Sequence, residues 1–224
     1  MNTAIIVAAG SGTRFKSTTP KQFVEIYGKP LLIHTLERFE AARSVDSVIV
    51  VLPEDRIDEF ESLVQKFHLS KIFAVVSGGA TRAESVRNGL DAVALDDGVV
   101  AVHDGARPLV TPNEIDETIE KAKLMGAACL VAPVTDTIKT ISGKEIANTL
   151  DRDKLRRALT PQAFRVELLR KAFEQAELSE AVTDECYLVE RLGHPISIVE
   201  GSSRNIKVTQ ADDLIIASEF LKNS

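Results

Sequence analysis

Six short apolar runs rich in β-branched residues alternate with stretches of helical spacing, and this alternation limits the chain to very few architectures. The runs are residues 4–8, 47–52, 72–76, 99–103, 127–132 and 196–200. Most are apolar on both alternating faces, as strands covered by helices on each side should be. Residues 31–42, 56–67, 83–94 and 113–125 place apolar side chains three and four apart, and the same pattern returns at 166–176, 184–192 and 210–221. Thr111, Pro112 and Glu114 open the fourth helical stretch as a capping box with proline in the first turn. The alternation predicts an α/β fold: a Rossmann-like, mostly parallel sheet with helices on both faces and right-handed crossovers. A length of 224 residues suits one such domain spanning 1–224. Ligands of these sheets bind beyond the carboxyl ends of the strands.

The order falters at about 136–159. Ile138-Lys139-Thr140-Ile141 alternates, Ser142-Gly143-Lys144-Glu145 signals a turn, and residues 145–150 alternate again, which reads as a β-hairpin. Little neighbouring sequence is left to bury it, and a lone hairpin is marginal in water. A second copy of the chain is the economical partner for such an arm, so a homodimer is expected.

The strand at 4–8 breaks into Gly10-Ser11-Gly12-Thr13-Arg14-Phe15, with Pro20-Lys21 close behind. Both common glycine-rich motifs need glycine at position 15, so neither the dinucleotide fingerprint nor the Walker loop fits. What remains is small residues, Ala8, Ala9, Gly10, Ser11 and Gly12, whose amides can face phosphate oxygens. Arg14 offers bidentate contacts and Lys21 a movable point charge, which suits a nucleotide triphosphate. A net charge of −6 argues against a nucleic-acid polymer but not against one nucleotide held by local cations.

Gly78-Gly79-Ala80-Thr81-Arg82-Ala83-Glu84-Ser85 follows the third run. Its glycines would let a base or ribose approach Gly79 and Ala80, with Ser85 on a base edge; a plain helix N-terminus is the alternative. His103-Asp104-Gly105-Ala106-Arg107-Pro108 ends the fourth run. Asp104 suits a metal or hydroxyl contact and Arg107 an anion, against the alternative of an Asp–Arg loop salt bridge; His103 reads as a strand-end residue. Weaker clusters are Thr135–Lys139, Asp151-Arg152 with Thr160-Pro161-Gln162, and Asn205-Ile206-Lys207, where Thr-Pro-Gln reads as a turn. No nucleophile–base pair or metal-ligand cluster stands out, which fits transfer at phosphorus. Cys129 and Cys186 read as reduced thiols. With no signal peptide or membrane span legible, a cytoplasmic protein is expected.

Taken in order, these segments resemble the 2-C-methyl-D-erythritol 4-phosphate cytidylyltransferases. The match runs from Ala8–Arg14 and Pro20-Lys21-Gln22 through Gly78-Gly79 with Arg82 and Ser85, His103–Pro108, Asp136–Lys139, Thr160-Pro161-Gln162 and Thr183-Asp184-Glu185 to Gly201–Lys207. The resemblance implies a nucleotidyltransferase-type fold and transfer of CMP from CTP to methylerythritol phosphate, with Mg²⁺ on the triphosphate and Asp104 as a possible further contact. It assigns catalysis to Arg14, Lys21, Arg152 and Lys207. It assigns the nucleotide to Ala8–Gly12, Gly79, Ala80, Ser85, Asp104 and Gly105. The alcohol phosphate falls to Asp104, Arg107, Thr137, Arg152, Thr160 and Lys207, with Thr137, Arg152 and Thr160 reaching across a dimer formed by the hairpin. One departure is Asp153–Arg157, where an aromatic residue is expected.

The nearest alternative is the ribitol 5-phosphate cytidylyltransferases. That branch tends to carry valine before the arginine and phenylalanine after the proline of the strand-four loop, where this chain has Ala106 and Leu109. A non-catalytic nucleotide sensor would have no need of both Arg14 and Lys21. A dehydrogenase is disfavoured by Phe15.

Overall fold

A computed structural model describes residues 1–10, 15, 20–94, 98–176 and 182–222. In chain order the elements are β1 (Thr3–Val7), β2 (Glu25–Ile26), β3 (Lys29–Pro30), α1 (Leu31–Ala41), β4 (Ser47–Leu52), α2 (Ile57–Lys66), β5 (Ile72–Ser77), α3 (Arg82–Asp91), β6 (Val99–Asp104) and α4 (Pro112–Met125). They continue with β7 (Ala127–Pro133), β8 (Lys139–Ser142), β9 (Glu145–Thr149), β10 (Arg156–Arg165), α5 (Val166–Glu174), α6 (Glu185–Arg191), β11 (Ser197–Glu200) and α7 (Ala211–Leu221). Every strand and helix expected from the hydrophobic pattern is present, with ends displaced by three residues at most.

Among the described residues, seven strands form one sheet in the order β11-β7-β10-β6-β1-β4-β5. β1 pairs in parallel with β4 and β6, β4 with β5, and β7 with β11. Because side chains alternate along a strand, each strand feeds both layers. Ala4, Ile6, Val48, Val50 and Ala101 join one core cluster, while Ile5, Ile49, Val51, Val100 and Val102 join the other. α1, α2 and α4 cover the first face, and α3, α5 and α6 the second. The Thr111/Glu114 capping box starts α4. Cys129 and Cys186 are buried free thiols.

The two-residue strands β2 and β3 and one strand of the main sheet were not legible. β10 runs antiparallel between β6 and β7, at the heart of the sheet. The reading of Thr160-Pro161-Gln162 as a turn is therefore corrected: these residues lie inside β10, where pairing with β7 shifts register between Ala158 and Gln162. A central proline removes a ladder donor and argues against a strand; the irregularity is what accommodates it. The expected arm of 136–159 is also shorter, since β10 already pairs with β7 from Arg156. The arm itself is the β8–β9 hairpin, exposed throughout, with Ile141 73% and Ile146 66% accessible.

Candidate active site

The carboxyl ends of β1, β5 and β6 and the segment after β11 meet around a cavity of about 490 Å³. Its described lining includes Ala8, Ala9 and Gly10 from the first loop, Lys21, Gly79 and Ala80 ahead of α3, Ser85, Asp104 and Lys207. Nine residues singled out in the sequence thus come together. Ser11, Gly12 and Arg14 lie outside the described residues.

Close backbone approach brings these loops together. A Cβ built on Gly78 would stand 2.2 Å from the Ala9 Cβ, and one on Gly105 would stand 2.9 Å from the Ala8 Cβ. The Gly105 amide donates to the Val7 carbonyl at 2.8 Å. Gly105 is absent from the lining and acts here by letting the ends of β1 and β6 meet. Gln22 donates to the Ala8 carbonyl at 2.7 Å, which ties the turn carrying Lys21 to the first loop.

The second glycine loop is a capped helix start, and residues of that same loop line the cavity. Thr81 and Glu84 form a capping box for α3, and the Glu84 carboxylate also accepts the Ala80 amide at 2.7 Å. The Ser85 hydroxyl donates to the Thr81 carbonyl at 2.9 Å and accepts the Gly79 amide at 3.1 Å. It braces the loop that presents Gly79 and Ala80, so its contact with a base edge is limited by those bonds.

Asp104 is the electrostatic centre. Its Oδ1 accepts Arg82 Nε at 3.2 Å, while Oδ2 faces Arg107 Nε at 3.2 Å and Lys207 Nζ at 2.9 Å. Burial alone would raise the Asp104 carboxyl, but the charges of Arg82, Lys207 and Arg107 outweigh it and hold the group well below the usual carboxylate range. Arg82 is chelated on its other side by Glu185, at 2.6 and 3.1 Å. Burial would lower the guanidinium's pKa, yet Glu185 and Asp104 raise it above its ordinary value. The Asp104–Arg107 loop salt bridge read as an alternative in the sequence is formed, and Arg107 Nη1 also donates to the Asn205 carbonyl at 2.9 Å. Arg107 sits behind the lining rather than on it.

His103 is fully buried against Phe39 and pushed down to about 3 by loss of solvent, so it is neutral. Its Nε2 lies 3.2 Å from the Arg107 carbonyl and its Nδ1 3.0 Å from the Thr160 hydroxyl. The carbonyl can only accept, which makes Nε2 the protonated nitrogen and Nδ1 the acceptor from Thr160. Thr160 Oγ1 in turn accepts the Asp104 amide at 3.2 Å.

That geometry corrects the expectation for Thr160. The residue is buried within its own chain, beneath Asp104, and does not reach across a dimer. Thr137 and Arg152 are exposed and flank the arm, where Arg152 donates to the Thr135 carbonyl at 2.9 Å, and neither touches the described cavity. Arg82 was present in the sequence motif but carried no assigned role; its signal was a cation one residue inside a glycine-rich helix start. Among the described residues no group of three or more His, Cys, Asp or Glu could hold a metal ion.

Comparison with known proteins decides the family. The family model for IspD, 2-C-methyl-D-erythritol 4-phosphate cytidylyltransferase, matches residues 2–223. The chain belongs to this cytidylyltransferase family. It is 42% identical over 222 residues to a 2-C-methyl-D-erythritol 4-phosphate cytidylyltransferase of Syntrophus aciditrophicus, covering 98% of this chain and 95% of that one. It is 43% identical over 218 residues to a bifunctional IspD/IspF enzyme of Desulfotalea psychrophila, where the match spans 97% of this chain but 56% of the relative. The crystal structure of 4-diphosphocytidyl-2C-methyl-D-erythritol synthase from Anaerococcus prevotii superposes with a TM-score of 0.86 at 29% identity, covering 99% of this chain and 96% of that one. Cytidylyltransferase relatives therefore share the whole fold, including the sheet that gathers the Asp104 cluster.

Proposed function

We propose that the chain transfers CMP from CTP to 2-C-methyl-D-erythritol 4-phosphate, giving 4-diphosphocytidyl-2-C-methyl-D-erythritol and pyrophosphate in non-mevalonate isoprenoid synthesis. The observation that carries this reading is a polar cavity ringed by Lys21, Arg82 and Lys207 at the strand ends of a chain that matches the family from residue 2 to 223.

The chemistry asks for little beyond charge and position. The nucleophile is a phosphate monoester with a second pKa near ~6, largely dianionic at neutral pH and in need of no general base. The difficulty is bringing it in line with the α-phosphate of another polyanion. Lys21, held over the cavity by a bond to the Val208 carbonyl at 3.0 Å, and Lys207 on Asp104 offset that repulsion. Arg14 joins them in this reading, and the amides of Ala8–Gly12, Gly79 and Ala80 hold the nucleotide.

Mg²⁺ belongs to the same proposal. Asp104 is the one carboxylate on the described lining and both its oxygens face cations, so these residues fit a metal carried by the phosphates rather than caged by protein. When bound it would neutralise charge on the triphosphate.

A homodimer through the hairpin is supported by the exposed Ile141 and Ile146. Arg152 and Thr137 would then reach a partner's alcohol phosphate. A cytoplasmic location completes the reading; among the described residues no helix is long and apolar enough to cross a membrane.

Lys21→Ala and Lys207→Ala should each lower kcat for CTP-dependent pyrophosphate release by about 10²–10³ while the far-UV circular dichroism is unchanged. Near-wild-type turnover in both would refute these roles.

A further inference from the structure

Glu185 stands outside the cavity lining, yet its carboxylate is fully buried and bound to a residue on that lining. It opens α6 from Thr183-Asp184-Glu185, a motif with no role in the reading above. Both neighbours of Glu185 are bolted to the central strand β10. Gln162 Nε2 donates to Asp184 Oδ2 at 2.9 Å, and the Cys186 amide donates to Gln162 Oε1 at 3.0 Å. The carboxylate then takes two of Arg82's five N–H groups, at 2.6 and 3.1 Å, while Arg82 Nε is given to Asp104 Oδ1 at 3.2 Å.

Stability alone does not account for this arrangement. A buried ion pair is often no better for a fold than apolar side chains of the same volume. What the pair does uniquely is fix the direction of a guanidinium beside a cavity that, in the reading above, receives a triphosphate. An arginine fork matches phosphate oxygens as well as it matches a carboxylate. Left unchelated, Arg82 could leave Asp104 for the incoming polyanion, and Asp104 would keep only Arg107 and Lys207, both on Oδ2.

We infer that Glu185 is a positioning residue for the transfer reaction: it chelates Arg82 so that the guanidinium stays on Asp104 when the triphosphate enters. The inference rests on the proposed cytidylyl transfer. Glu185 touches no reacting atom; it acts through Arg82 on Asp104 Oδ1, the oxygen that Lys207 does not take.

The charge change gives the inference a signature that lost packing would not produce. Glu185→Gln removes one negative charge near the phosphates, so CTP should bind as tightly as in the wild type or up to about tenfold tighter. At the same time kcat should fall about tenfold or more, because Asp104 is no longer held by cations on both oxygens. In an Asp104→Asn background Glu185→Gln should cost nothing further, since both act on one unit. A weaker CTP interaction with unchanged kcat, or fully additive losses, would overturn the inference. Should Glu185→Gln fold poorly, the charge-balanced pair Arg82→Gln with Glu185→Gln is expected to fold and to show the same loss of kcat; full activity in that pair would equally overturn it.

A second readout does not depend on the alcohol substrate. On adding inorganic tripolyphosphate, the Arg82 Nε–H resonance should shift only slightly in the wild-type chain, where it stays on Asp104, and much further in Glu185→Gln. Wild-type protein that turns over no methylerythritol phosphate would sink the proposed reaction while this measurement still decides the role of Glu185. A shift in the wild type as large as in the variant would overturn that role.

Discussion

Lys207 and Asp104, more than a hundred residues apart in sequence, meet with Nζ 2.9 Å from Oδ2. The next residue, Val208, accepts the Lys21 ammonium at 3.0 Å and donates its own amide to the Ala106 carbonyl at 2.9 Å. One short segment thus sets both lysines relative to the end of β6. Asp104→Ala would leave Arg82, Arg107 and Lys207 facing each other with their shared carboxylate gone. Removing one partner from a buried ionic cluster is expected to cost about 3–5 kcal/mol. Urea denaturation should show that loss, and Lys207→Met, which leaves Asp104 paired with both arginines, should lose much less stability.

His103 gives the fold a defined acid sensitivity. Its folded pKa is about 3, against about 6.5 in an unfolded chain. Between those values the unfolded chain binds a proton that the folded one refuses, so stability falls as pH drops below about 6.5 and is unaffected by this group above it. The slope approaches about 1.4 kcal/mol per pH unit. Urea midpoints at pH 7.5 and 4.5 should therefore separate more for the wild type than for His103→Gln. Equal separations would contradict the buried neutral imidazole.

Gly78 is a steric gate for the first loop. Gly78→Ala would place a methyl where the Ala9 Cβ stands 2.2 Å away, so the Ala8–Gly10 path must shift. The expected outcome is CTP binding weakened by about tenfold or more, since misplaced groups lose most of their electrostatic value, with little change in melting temperature. Calorimetric titration with CTP checks it; unchanged affinity would show that the loop adapts.

Ile141 and Ile146 are large apolar side chains left in water by the described chain. Under the proposed homodimer, Ile141→Glu with Ile146→Glu should convert the assembly to a monomer by analytical ultracentrifugation, because charges in an apolar contact lose hydration without gaining partners. A monomeric wild type would contradict the proposed homodimer outright.

The sheet was legible wherever hydrophobic alternation was the only force at work. Ser47–Leu52 and Val99–Asp104 are buried on both faces and carry no competing signal. β10 was hidden because Pro161 argued for a turn and because its first residues, Arg156 and Arg157, are charged and exposed. The strand ends were legible through Gly79, Asp104 and Lys207, residue types that stand out against an apolar background. Glu185 and Arg82 were not, since their meaning lies in a contact spanning 103 positions that no local pattern encodes. Thr160 was misplaced for the same reason: its partners His103 and Asp104 come from a strand that only the tertiary fold brings alongside.

Incubating the chain with CTP and Mg²⁺, and either 2-C-methyl-D-erythritol 4-phosphate or ribitol 5-phosphate, tests the proposed transfer most directly. Phosphorus NMR of the mixture reads both products at once. The expected result is a CDP-alcohol and pyrophosphate, formed in equal amounts and much faster with methylerythritol phosphate. Faster turnover of ribitol phosphate, or no CTP-dependent pyrophosphate with either alcohol, would contradict it.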